Sequence, residues 1–303
     1  MNFQCSLGGI AIRCSSEYCL VQNDSDVTWA KDFISFARLE KKPEQQPEDL
    51  QVHIASCCER KPAVNQLEKI LTQQRSSFYK TEKGYLQVLH LTPSEEVFLW
   101  ALEIDPQFER FDYALFLDNI AKTQKPLLPS KLALSLFLLQ HSFINQQGLI
   151  SHAAGGSVYG KGLVFPAPSG GGKSTLSRLL FSNSQNCLFS EERLIIRSVN
   201  DTWQVWGTPW HGEGRIARNE SAPLSALIFL RQAQQTRIVE LPPSIGLHRL
   251  LQTVSIPWYS EEWTSKGLVL CERLLKDIPV FELAFRPDQS AREAIEKLAL
   301  SLQ

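Results

Sequence analysis

Ala167-Pro-Ser-Gly-Gly-Gly-Lys-Ser174 follows the apolar run Gly162-Leu-Val-Phe-Pro166 and precedes the helix-like stretch Thr175-Leu-Ser-Arg-Leu-Leu180. A phosphate-binding loop belongs in that position, between a strand and the start of a helix. Small residues there let several backbone N–H groups turn inward around an anion, and the helix directs its positive end at the same point. Gly170, Gly171 and Gly172 permit the turn. Ser169 and Thr175 flank the cradle, Lys173 reaches the β- and γ-phosphates as a point charge, and the Ser174 hydroxyl serves as a Mg²⁺ ligand. The usual pattern opens with glycine where this chain has Ala167, a substitution that costs backbone freedom if φ there is positive. The motif reads as nucleotide phosphate binding and leaves open kinase, ATPase, GTPase or sensor.

Working outward, the region downstream alternates strand and helix signals. Strands are expected at Leu163–Pro166, Cys187–Ser190, Leu194–Arg197, Trp203–Trp206, Leu224–Leu230 and Val280–Phe285, and a last helix near Ser290 behind a capping box, Ser290-Ala-Arg-Glu293. Upstream, Lys131–Gln146 reads as an amphipathic or largely buried helix carrying Leu132, Leu136, Leu139 and Phe143. Gln124–Ser130 contains two prolines and punctuates the chain. The expected division is an α+β N-terminal domain over 1–127, suited to partner recognition, and a P-loop α/β domain with a mixed sheet over 128–303. Within the first, Gly9–Cys14, Val52–Ile54 and Tyr85–His90 are strand-like, Asn65–Gln74 has Leu67, Ile70 and Leu71 at helical spacing, and Glu40–Glu48 reads as a loop.

Composition narrows the function classes. The chain has 303 residues, 43% of them hydrophobic, and a formal net charge of −1, which offers neither nucleic acid nor an anionic membrane an electrostatic attraction. The longest strongly apolar stretch, Leu132–Leu139, is far below the ~20 residues of a membrane span. Met1–Cys5 lacks the regions of a signal peptide, so a cytoplasmic protein is expected. The seven cysteines are odd in number and contain no C-x-x-C pair; Cys14 and Cys19 with His53 and Cys57 or Cys58 match no finger spacing. No structural metal is expected.

Around the loop, His152 lies upstream, followed by Tyr159-Gly160-Lys161-Gly162, a hairpin-like turn into the loop strand. Downstream, Ser190-Glu191-Glu192-Arg193 ends the next strand and sets two carboxylates where a P-loop fold keeps its Mg²⁺-holding acid. Adjacent acids on extended chain point to opposite sides, so one faces the metal directly. Trp206-Gly207-Thr-Pro-Trp-His211-Gly212-Glu213-Gly214 then reads as a ligand-facing loop, with His211, Glu213 and Arg215 as candidates for substrate contact.

The stretch from Ser151-His152 through Tyr159-Gly160-Lys161-Gly162 to Ser169-Gly-Gly-Gly-Lys-Ser174, with the acidic pair after the next strand, resembles the HPr kinase/phosphorylase family and its relatives with the phosphoenolpyruvate-carboxykinase-like fold. The resemblance covers residues 150–200 well and the remainder in outline. It implies catalytic roles for His152, Lys173, Glu191 and Glu192, with His152 at the γ-phosphate, one acid acting on the attacking hydroxyl and the other, with Ser174, on the metal. The family's acids are Asp, and its Arg-Gly-x-Gly segment is absent here. The implied function is ATP- and Mg²⁺-dependent transfer of the γ-phosphoryl group to a hydroxyl, a serine of a protein or dedicated peptide partner. The alternative is a nucleotide-binding adaptor in a peptide-maturation or regulatory system that transfers nothing. The oligomeric state stays open, a homo-oligomer being compatible with either.

Overall fold

The computed structural model describes residues 2–16, 50–56, 63–92, 97–121, 135–181, 185–212 and 214–302. The chain is α/β with mixed sheets and divides into two units, one of Met1–Ser6 with Ile10–Ser142 and one of Leu7–Gly9 with Phe143–Gln303. The expected boundary near residue 127 and the Glu40–Glu48 loop lie outside the described residues.

The N-terminal unit is built on an eight-stranded sheet: β1 (Asn2–Leu7), β2 (Ile10–Ser16), β3 (Leu50–Ser56), β4 (Glu68–Gln73), β5 (Ser76–Thr81), β6 (Gly84–His90), β7 (Phe98–Ile104) and β8 (Arg110–Leu115). Their order is β1-β2-β3-β8-β7-β6-β5-β4, with β2, β3 and β8 parallel and β4 to β8 an antiparallel meander. Period-2 alternation sets the faces. Ile12 and Cys14, Val52 and Ile54, and Phe111 and Tyr113 are buried, while Arg13, Gln51, His53 and Arg110 face outward. Two helices follow, α1 (Leu117–Ala121) and α2 (Leu136–Asn145). On α2, His141 is fully buried, stacks on Phe108 at 4.1 Å and donates from Nδ1 to the Phe137 carbonyl at 2.8 Å. Burial pushes its pKa down to about 3.

One expectation fails in this unit. Asn65–Gln74 is not a helix: a 3₁₀ turn at Val64–Gln66 leads directly into β4. A bulge between Lys69 and Leu71 breaks the strand's alternation, so Ile70 and Leu71 are both half-buried. That imitates helical spacing over so short a window.

The second unit contains β9 (Gly148–Ser151), β10 (Ala153–Val158), β11 (Lys161–Pro166), β12 (Asn186–Ser190), β13 (Leu194–Val199), β14 (Thr202–Trp206), β15 (Ser221–Gln232), β16 (Arg237–Glu240) and β17 (Val280–Phe285). Its helices are α3 (Lys173–Leu180), α4 (Pro243–Leu250), α5 (Glu261–Asp277) and α6 (Gln289–Ser301). The twelve-residue β15 organises the unit. β11 runs parallel to it along one edge; on the other edge its first half pairs with β14 and its second half with β17. One layer is therefore β12-β10-β11-β15-β17-β16 and the other is β9-β13-β14-β15.

Helices α3 and α6 cover the first layer. Leu176 and Leu180 on α3, and Ala291, Ile295 and Ala299 on α6, pack against Val158, Leu163, Phe165, Ile228, Leu283 and Phe285. The i, i+4 spacing of Leu176 and Leu180 gives a helix of only eight residues its buried stripe. Truncating either leucine to alanine costs ~2–5 kcal/mol. The start of α6 differs from expectation, because Asp288 is the N-cap and accepts from the Ser290 N–H at 3.0 Å, so Ser290 lies inside the first turn. Tyr159 and Gly160, both at positive φ, make the two-residue turn from β10 into β11.

Candidate functional site

Two interruptions in the sheets bring the chemistry together. The chain leaves β9 in one layer and enters β10 in the other at His152, and it makes the opposite passage from β12 to β13 across Glu191-Glu192-Arg193. Strand pairing aligns these passages, since Ser151 opposes Leu194 while Gly155 opposes Ser190. The Ala153 N–H donates to the Glu192 carbonyl at 3.2 Å and the His152 N–H to the Thr253 carbonyl at 2.7 Å. The Ser190 hydroxyl accepts from the Glu192 and Arg193 N–H groups at 3.2 and 3.3 Å, which shapes the turn. His152 Nε2 consequently stands 3.5 Å from Glu192 Oε2.

β11 supplies the third component. It ends at Pro166, and the glycine loop carries the chain into α3. Gly170 and Gly172 adopt φ of +78° and +98°, and Gly172 is the left-handed N-cap of the helix. A Cβ on Gly172 would lie 2.9 Å from the Phe285 ring, and one on Gly171 2.8 Å from the Ala167 Cβ, whereas Gly170 faces open space. Ala167 is buried and not at positive φ, so it bears none of the backbone cost that would make glycine necessary there. Its carbonyl and that of Pro168 accept from Lys173 Nζ at 2.7 and 3.1 Å. Gln232 Nε2, at the end of β15, donates to the Gly170 carbonyl at 3.1 Å.

These components line one cavity of about 410 Å³, walled by Ser169, Gly170, Gly172, Lys173, Ser174 and Thr175 on the loop side and by His152, Glu191, Glu192, Gly212 and Gln232 opposite. A larger cavity of about 640 Å³ in the N-terminal unit is lined by charged residues, among them Lys83, Glu103 and Arg110, and has no glycine loop at a helix start in its lining. Of the sequence candidates, Gly171 turns toward Ala167 instead of the cavity, and His211 and Arg215 are not in its lining. Glu213 lies outside the described residues. Gly212 comes from the stretch read as a ligand-facing loop, whereas Gln232, at the end of β15, enters the lining unannounced.

Burial and opposed charges set the protonation of the groups inside. Burial, then the Lys173 ammonium, holds the His152 pKa below the usual histidine value, with Arg193 adding to this and Glu192 opposing it. The imidazole is therefore neutral at pH 7. Burial likewise lowers the Lys173 pKa, against the pull of Glu192 and with help from Arg193. Glu191 is only 6% exposed, and among the described residues no hydrogen bond reaches its carboxylate. Among the described residues, no group of three or more His, Cys, Asp or Glu gathers as a closed metal cage. The Ser174 hydroxyl and the two carboxylates are hard oxygen donors, the kind Mg²⁺ accepts in small number when phosphates complete its shell.

Among the described residues no helix is long and apolar enough to cross a membrane. No family model matches the chain, and no curated protein matches it.

Proposed function

We propose that the protein is an ATP-binding, Mg²⁺-dependent kinase that transfers the γ-phosphoryl group to a hydroxyl, a serine of a protein or peptide, and that its second unit is a P-loop domain of the HPr-kinase type. The observation that carries this reading is the single cavity in which the glycine loop and Lys173 face His152, Glu191 and Glu192. Neither half alone specifies phosphoryl transfer; a loop of this kind binds phosphate in many proteins, and paired acids occur in many sites.

The residues divide the work as follows. Backbone N–H groups of the loop and of the first turn of α3 hold the phosphates, and Lys173 exchanges the two carbonyls it now meets for phosphate oxygens. Ser174 and Glu191, with phosphate oxygens, would hold Mg²⁺, which would supply charge neutralisation on the transferring group. Glu192, more exposed than Glu191 and beside His152, accepts the proton of the attacking hydroxyl as the new O–P bond forms and the bond to the β-phosphate oxygen breaks, releasing ADP. His152, neutral and able to donate one N–H, orients the γ-phosphate.

The alternative, an adaptor that binds nucleotide without transfer, is favoured by one feature: glutamates stand where the resembling family has aspartates, and a base displaced by ~1 Å can lose ~10²-fold in rate. Incubation with γ-labelled ATP, Mg²⁺ and peptides encoded beside the gene separates the two. Label on serine in wild type, absent in K173A and in E191Q/E192Q, is the kinase outcome. Tight ATP binding with neither label nor free phosphate is the adaptor outcome, and absence of ATP binding defeats both.

A further inference from the structure

A glutamate can take an aspartate's place only if its extra methylene is accommodated, and the backbone facing Glu191 shows where that room comes from. An ideal Cβ on Gly214 would lie 2.4 Å from Glu191 Oε2, 3.0 Å from Cδ and 3.1 Å from Oε1. The carboxylate thus occupies the volume that any side chain at 214 would need. Gly214 is not at positive φ, so backbone conformation does not account for glycine there. Gly212, two residues earlier, differs: its ideal Cβ meets Glu191 and Glu192 only at 3.7–3.9 Å, ordinary contact distances. The same loop is tied down by the Arg215 N–H donating to the Gly212 carbonyl at 3.1 Å, by the Ser190 hydroxyl donating to the Trp210 carbonyl at 3.2 Å, and by the Thr208 hydroxyl donating to the Arg193 carbonyl at 2.7 Å.

We infer that Gly214 is a positioning residue: the absence of its side chain lets the Glu191 carboxylate lie back against the loop, which sets how far that carboxylate reaches toward Ser174. Resting on the kinase reading, this assigns residues 207–212 and 214–215 to aiming the metal-side acid. It also links two sequence features, glutamate at 191 and glycine at 214, that are 23 positions apart.

The test is a double-mutant cycle with two readouts. In the first, without nucleotide, G214A lowers the melting temperature by about 5 °C or more, G212A lowers it much less, and E191D in the G214A background restores at least half of the loss, because aspartate withdraws the carboxylate by one methylene. If G214A does not fold, folding of E191D/G214A is the supporting result. Losses that simply add, or a double variant no better than G214A, overturn the contact. In the second, Mn²⁺·ATP binding followed by electron paramagnetic resonance weakens at least tenfold in G214A and partly recovers in E191D/G214A. Unchanged Mn²⁺·ATP affinity in a destabilised G214A overturns the positioning role. Absence of Mn²⁺·ATP binding in wild type defeats the kinase reading, while the melting cycle still decides whether Gly214 makes room for Glu191.

Discussion

His152 Nε2 and Glu192 Oε2 face each other at 3.5 Å across the two passages that join the sheets of the second unit. Glu192 is the group that raises the His152 pKa, while burial, Lys173 and Arg193 lower it. E192Q therefore moves the imidazole pKa further down, read from the ring resonances in a ¹H–¹⁵N titration. In wild type, phosphoryl transfer that relies on neutral His152 holds through pH 7 and falls only below the usual histidine range. An upward shift of the resonance titration would refute the arrangement.

Among the described residues the Lys173 ammonium donates to two carbonyl oxygens, and its burial makes the charge costly, so a phosphate anion would stabilise it. K173M keeps the length and removes the charge. ATP affinity measured by calorimetry should fall ~10- to 100-fold, the equivalent of the ~1.5–3 kcal/mol of a charge-assisted hydrogen bond. Equal affinity in wild type and K173M would place the triphosphate elsewhere.

The two left-handed glycines of the loop differ in what surrounds them. G170A meets open space and should lose only the ~1–2 kcal/mol of backbone cost. G172A adds a collision with the Phe285 ring at 2.9 Å, which raises the loss to roughly 2–4 kcal/mol by adding overpacking to the same backbone cost. Urea unfolding measures both, and F285L should recover part of the second loss but none of the first. Equal losses for G170A and G172A would contradict the packing.

His141 makes the N-terminal unit acid-sensitive. Its folded pKa is about 3, below the ~6.5 of an unfolded histidine, so the unfolded chain binds the proton first as pH falls. Stability from this residue is complete above pH 6.5 and drains between there and about pH 3, at ~1.4 kcal/mol for each unit of pH. In H141F, which keeps a ring against Phe108, the decline in urea midpoint between pH 7 and 5 should be shallower than in wild type. Parallel declines would show that other groups carry the acid response.

Strong local patterns were legible in the chain, and weaker ones were overruled by packing. Val280–Phe285 is a strand at the expected limits, and the other five expected strands of the second unit appear with their ends extended by one to three residues, because continuous β-branched and aromatic runs have few alternatives at that length. β10 escaped notice because Ala153-Ala-Gly-Gly-Ser-Val158 lacks that signature. Its glycines serve close backbone approach instead: a Cβ on Gly156 would lie 2.0 Å from the Cys187 carbonyl oxygen. In the site, the loop and the acidic pair could be read from their spacing. The dependence of Glu191 on Gly214 could not, since nothing in a linear sequence reports that two distant residues share one volume.

The long strand β15 belongs to both layers of the second unit, giving one edge to β11 and dividing the other between β14 and β17. A spine shared in this way makes partial melting unprofitable, because neither layer can be released without breaking the ladder that supports the other. The amides of β11, β14 and β17 should then exchange with solvent as one cooperative block, and the rigidity that results keeps the loop and the carboxylates registered to each other.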